Sequence, residues 1–269
     1  MRSFDNKVAV VTGAGSGIGR ALALRLAAEG ARLAVSDVDA AAAARTAEEC
    51  GANARGYRLD VADRAAFTAH AEAVLTEFGQ VNLVFNNAGV ALTGNVTEMS
   101  WADFDWIVGV NLGGVLNGSK IFLPHLIASG DGHLVNISSV FGFIGVPTQS
   151  AYCATKFAVR GFTESLRQEM KTAKAPVGVS CVHPGGIKTN IARSMRASGD
   201  RDARSLSSRF DRIARTTPDS AARTILGGVR RDSARILIGP DAYLLDGMPR
   251  VLGSRYQEVV SRAASIGGL

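Results

Sequence analysis

Cysteine is scarce in this 269-residue chain: Cys50, Cys153 and Cys181 are odd in number, far apart and without CxxC spacing. That excludes a disulfide framework and a cysteine-based zinc site, and it fits a reducing cytoplasm. Long apolar runs are missing as well, and none approaches the roughly 18 residues of a membrane span. The opening MRSFDNKVAVVTGAG carries Asp5, Asn6 and Lys7 and has no apolar core of the signal-peptide kind. Histidine is limited to His70, His125, His133 and His183, scattered and best taken as surface or structural residues, so no metal site is expected. Repeats, linkers and low-complexity blocks are absent too.

What is present suits one soluble α/β domain spanning 1–269, with 46% hydrophobic and 20% charged residues. The net charge of +6 is local, because residues 188–235 hold twelve Lys/Arg against five Asp/Glu. A basic patch can be a nucleic-acid footprint. Without aromatic interleaving or a binding motif, no nucleic-acid partner is expected here.

Seven short apolar, β-branched runs recur with helical stretches between them: 7–12, 32–37, 54–60, 81–87, 133–139, 177–184 and 234–239. Continuous rather than alternating apolarity means strands buried on both faces, the property of a parallel sheet covered by helices. Right-handed crossovers then predict a doubly wound Rossmann fold, a seven-stranded parallel sheet with helices on both faces.

The first strand runs into TGAGSGIGR and then a helix beginning near Gly17. Gly13, Gly17 and Gly19, with Ser16 and Ile18 between them, let backbone approach a pyrophosphate at the positive end of a helix dipole. No Lys followed by Ser/Thr closes the turn, which excludes a P-loop. Strand two ends at Asp37, eighteen residues beyond Gly19. A carboxylate there accepts hydrogen bonds from an adenosine ribose and repels a 2′-phosphate, which points to NAD ahead of NADP. The competing role for Asp37 is a cap on the helix that starts near Asp39. Asp60 and Val61, after strand three, are placed to frame adenine; Asn87, Ala88 and Gly89, after strand four, leave room beneath a nicotinamide.

In SAYCATKFAV, Tyr152 stands four residues ahead of Lys156, so on a helix the phenol and the ammonium share a face. A cation beside a phenol favours the phenolate, which suits proton transfer. Cys153, about 100° round the same helix, is expected to be packing.

Together these pieces resemble the short-chain dehydrogenase/reductase family in its single-domain branch: TGAGSGIG at 12–19, NNAG at 86–89, Asn111, ISS at 137–139, YCATK at 152–156 and HPGGIKT at 183–189. They span residues 7 to about 190 in order. The resemblance implies an oxidoreductase moving hydride between a secondary alcohol or ketone and a nicotinamide cofactor, with Tyr152 as acid/base and Lys156 also donating to the nicotinamide ribose. It implies that Ser139, rather than its neighbour Ser138, holds the substrate oxygen. Asn111 would kink its long helix and anchor a water leading from Lys156. Pro184, Gly185, Ile187 and Thr189 would close over the carboxamide. An idle NAD-binding sensor is the alternative, which an intact Ser-Tyr-Lys set argues against.

The loop FGFIGVPTQ, 141–149, is mainly apolar and is expected to wall the pocket, with Phe141, Val146, Gln149 and Gly185 joining Ser139 and Tyr152 around a substrate with a hydrophobic body. By resemblance, about 190–217 forms a lid. Within it Leu206, Phe210 and Ile213 share one helical face, and Arg204, Arg209, Arg212 and Arg215 share the other, a set suited either to water or to an anionic substrate tail. After 239 the chain departs from the usual tetramer-building tail; helices at about 241–265 are expected, and the assembly is expected to be a homodimer or homotetramer.

Overall fold

The computed structural model describes residues 1–189, 191, 195–198 and 215–267. The lid residues Leu206, Phe210 and Ile213 and the arginines Arg204, Arg209 and Arg212 lie outside them; Arg215 is described and exposed.

The sheet runs through β1 (Val8–Thr12), β2 (Arg32–Asp37), β3 (Ala54–Arg58), β4 (Leu83–Asn86), β6 (Gly132–Ile137), β7 (Val177–Pro184) and β9 (Arg235–Ile238). Its order is β3-β2-β1-β4-β6-β7-β9, every pairing is parallel, and the seven expected runs supply the seven strands. The strand order reverses between β1 and β4, where a crevice opens at the carboxyl ends. A separate pair, β5 (Leu92–Thr93) with β8 (Arg196–Ala197), was not legible as strands because two residues carry no period.

Successive strand residues face opposite sides, and the core divides accordingly. Ala9 and Val11 pack with Leu22 and Leu26 of α1 (Gly17–Ala28) and Ile225 of α7 (Pro218–Arg230). Val8 and Val10 pack the other way, with Phe67 and Val74 of α3 (Arg64–Phe78), Phe122 of α5 (Gly114–Ala128) and Leu166 of α6 (Ser150–Thr172). Edge strand β3 is the exception to two-sided burial, and its exposed Arg55 and Arg58 suit an edge.

Side-chain caps begin some of the helices. Asp39 accepts from Ala42 N at 3.0 Å to start α2 (Ala40–Cys50), and Asp63 does the same for α3. The cap of α2 is therefore Asp39, which leaves Asp37 for another use. A continuous helical stretch, Trp101–Ala128, comprises α4 (Trp101–Val108), one π-helical turn (Gly109–Gly113) and α5. By length and composition it could cross a bilayer, a property the interrupted apolar pattern had hidden. Its Asn111, Asn117 and Ser119 are buried inside the protein, where they bond backbone and side chains of other elements. The chain ends in α8 (Pro240–Leu252) and α9 (Tyr256–Gly267).

Candidate active site

The β1–α1 turn is shaped by glycine. Gly13 and Gly17 have φ of 63° and 55°, values that side chains rarely adopt. A Cβ on Gly19 would collide with the Gly13 carbonyl and with Asn87. Ser16 leaves α1 uncapped by its side chain, so the positive helix end is open to an anion. Asp37 accepts from Gly15 N at 2.9 Å and from Asp39 N at 3.1 Å, which holds its carboxylate at the mouth of the turn. A glycine cradle, an open helix end and a fixed carboxylate together fit a dinucleotide.

Thr12, which the motif contains but sequence reasoning did not single out, ties the turn to β4. Its hydroxyl accepts from Asn87 N at 3.0 Å and Ala88 N at 3.1 Å and donates to Phe85 O at 3.3 Å. Asn87 in return donates to the carbonyls of Thr12 and Gly13, at 2.8 and 3.1 Å. Asn87 is therefore a brace of the cradle, and Ala88 lies directly against Gly13. Asp60 is exposed and accepts from Ala62 N at 3.0 Å. The Val61 side chain is turned into the core against Gly114.

α6 starts at Ser150 and presents Tyr152 and Lys156 on one face, with the Lys156 Nζ 5.5 Å from the Tyr152 ring centroid. Lys156 is buried and donates to the Ile137 carbonyl at 3.1 Å. Ser138 and Ser139 separate cleanly: Ser138 donates to the Lys156 carbonyl at 2.8 Å, while the Ser139 hydroxyl sits beside Tyr152. Ser139 also accepts from Phe141 N at 3.2 Å, and its own carbonyl accepts from the ring of buried His183 at 3.0 Å. Asn111, wholly buried in the π turn, grips Val90 through both its N–H and its C=O, at 2.8 and 2.9 Å, and reaches Thr155 at 3.3 Å. Gly89 lies next to the Asn111 amide and the Lys156 ammonium.

Burial pushes the Tyr152 phenol up to about 12, with hydrogen bonding by Ser139 opposing the rise. Burial pulls Lys156 down to about 8. In the protein by itself burial dominates, so Tyr152 is a phenol.

The closing segment follows β7. Pro184 ends the strand, and Gly186 N donates to Asp241 at 2.7 Å while Gly185 N donates to Ile238 at 3.0 Å. Ile187 is buried and bridges to Thr216, and the Thr189 methyl lies over Gly17, which brings the segment to the glycine turn. In the loop 141–149 Phe141 meets Tyr152 edge-on at 6.1 Å, and Val146 and Gln149 are half-buried. Phe143 and Ile144 belong to the interior instead, with Phe143 stacked on His183 at 4.1 Å. Asp241 and His183 were also overlooked as site neighbours, for their contacts cross between distant segments.

The sequence profile described as short chain dehydrogenase matches residues 7–200. A Mycobacterium tuberculosis protein named as an oxidoreductase, SadH, is 54% identical over 265 residues, covering 97% of this chain and 96% of its own. The cyclohexanol dehydrogenase of an Acinetobacter species is 37% identical over 192 residues, covering 70% of this chain and 76% of its own. A short-chain dehydrogenase/reductase from Burkholderia phymatum, solved in complex with NAD, superposes with a TM-score of 0.87 at 34% identity over 94% of this chain and 95% of that one. With the Ser139, Tyr152 and Lys156 geometry beside a glycine cradle, these likenesses lead to one conclusion: the chain belongs to the short-chain dehydrogenase/reductase family of oxidoreductases.

Proposed function

We propose that this protein is an NAD-preferring alcohol dehydrogenase or carbonyl reductase acting on a secondary alcohol or ketone with a hydrophobic body. The observation that carries the proposal is the convergence of Tyr152, Lys156 and the Ser139 hydroxyl next to Gly89 and Asn111, at the open end of the sheet. Gly13, Ser16, Gly17, Ile18 and Gly19 would hold the pyrophosphate, and Asp37 the adenosine ribose. Asp60, Val61, Asn87, Ala88 and Gly89 would border the remaining dinucleotide, and Pro184, Gly185, Ile187 and Thr189 would close over its carboxamide end. A bound nicotinamide supplies the hydride acceptor or donor.

The chain's own residues supply aim and protons. Ser139 orients the substrate oxygen, and Tyr152 takes the hydroxyl proton in oxidation or gives it in carbonyl reduction. The phenol form that burial imposes is ready for reduction at neutral pH. For oxidation, added positive charge at the site must lower it, and Lys156 is near enough to share in that effect. Asn111 keeps the Val90 backbone and the start of α6 in fixed relation through Thr155. Phe141, Val146 and Gln149, with Gly185, border the substrate, and the likeness to a cyclohexanol dehydrogenase supports an apolar ring or chain there. We take the chain to act as one domain, a homodimer or homotetramer in a reducing cytoplasm.

The test is NADH absorbance with NAD and NADP side by side, across secondary alcohols and ketones, for wild type and Tyr152→Phe. Turnover that prefers NAD and collapses by two or more orders of magnitude in the variant is the expected result. Turnover that survives Tyr152→Phe would overturn the assignment.

A further inference from the structure

Two polar contacts from the C-terminal helices reach the two walls of the site. Gly239, at φ 93°, turns the chain out of β9, so that Asp241, in the first turn of α8, faces back onto the closing segment. There it accepts from Gly186 N at 2.7 Å, and a Cβ on Gly185 would collide with its carboxylate. The base of α8 is anchored as well: Arg235 pairs with Asp246 at 2.8 Å and with Glu164 of α6 at 2.8 Å. That ties α8 to the helix that bears Tyr152 and Lys156. The chain then reverses at Gly253, φ 54°, and starts α9 with Tyr256, whose hydroxyl accepts from Gly145 N at 3.1 Å. Gly145 lies in the middle of the loop 141–149.

We propose that α8 and α9 form a two-point positioning device, in which Asp241 sets the cofactor-side segment through Gly186 and Tyr256 sets the substrate-side loop through Gly145. The inference rests on the reading of those two segments given under the proposed function. Neither residue touches the reacting atoms; each acts through a backbone amide. Both contacts are exposed, so water replaces them when they are lost, and the consequence is a looser wall and not an unfolded protein.

The device predicts a split that a purely structural role does not. Asp241→Ala weakens NADH binding, read by nucleotide fluorescence, about 3- to 10-fold and leaves amide exchange in 141–149 unchanged, whereas Asp241→Asn, which keeps an acceptor oxygen, restores most of the affinity. Tyr256→Phe does the reverse: NADH affinity stays, amide exchange in 141–149 quickens, and KM for the alcohol rises about 2- to 5-fold. Parallel shifts in both readouts with a falling Tm, or no shift in either variant, would overturn the proposal. Nucleotide binding and amide exchange need no substrate, so they stand apart from the Tyr152→Phe test. Turnover that survives that substitution removes the catalytic reading while these two measurements still judge the device.

Discussion

Thr12→Val is the sharpest probe of how the cradle is held. The substitution keeps the shape of a side chain that is 2% exposed and removes only its hydroxyl. Of the two amides that hydroxyl receives, Asn87 N retains a second acceptor in the Phe85 carbonyl at 2.9 Å. Ala88 N has no other acceptor among the described residues, so it alone is orphaned. An unsatisfied donor at this part-buried site costs about 1–3 kcal/mol, and the weakened share at Asn87 and the lost bond to Phe85 add about 0.5–1 kcal/mol, giving a loss of about 1.5–4 kcal/mol. Thr12→Ser keeps the hydroxyl and loses one methyl, about 0.8 kcal/mol. Urea unfolding of the three proteins at a common m-value separates the two terms. NADH affinity should fall in the valine variant alone, because the chain end of β4 no longer braces the glycine turn. Valine and serine variants within about 0.5 kcal/mol of each other would refute the reasoning, since that is the resolution of such comparisons.

Three further outcomes follow from the site. In the absence of nucleotide, the ultraviolet difference between wild type and Tyr152→Phe should show no phenolate from Tyr152 until pH nears 12, and saturating NAD should move its appearance downward; an early phenolate in the free protein would contradict the burial argument. Because burial lowers Lys156 from 10.5 to about 8, the folded protein holds fewer protons than the unfolded chain between those values, and this residue makes stability rise with pH in that window. Cys50, Cys153, Cys181 and Tyr152, each raised by burial, contribute opposing falls in both proteins, so wild type measured against Lys156→Met should gain stability from pH 8 to pH 10. Asp37→Ser should narrow the preference for NAD over NADP about tenfold or more, measured as the ratio of kcat/KM values, and an unchanged ratio would remove Asp37 from cofactor choice.

Much of this was legible without coordinates. A strand covered on both faces announces itself because it is apolar throughout, as VAVVT is. Tyr152 and Lys156 meet because i and i+4 share a helix face whatever lies around them. Spacing put Asp37 at the ribose with a helix cap as its competing role, and the hydrogen bonds give the cap of α2 to Asp39 while Asp37 receives Gly15 N.

The local chain thus determined its elements and their order, because periodicity, capping and turn preference act over a few neighbours. Tertiary packing decided the rest. It turned Val61 inward, set Thr12 against β4, drew the Asn111 amide out to Val90, and fixed the Tyr152 and Lys156 protonation states through burial rather than through their mutual charge. It also brought Asp241 to Gly186 and Tyr256 to Gly145 across 55 and 111 residues. No periodic signal spans such separations, since a contact between distant segments depends on where whole helices come to rest on the sheet.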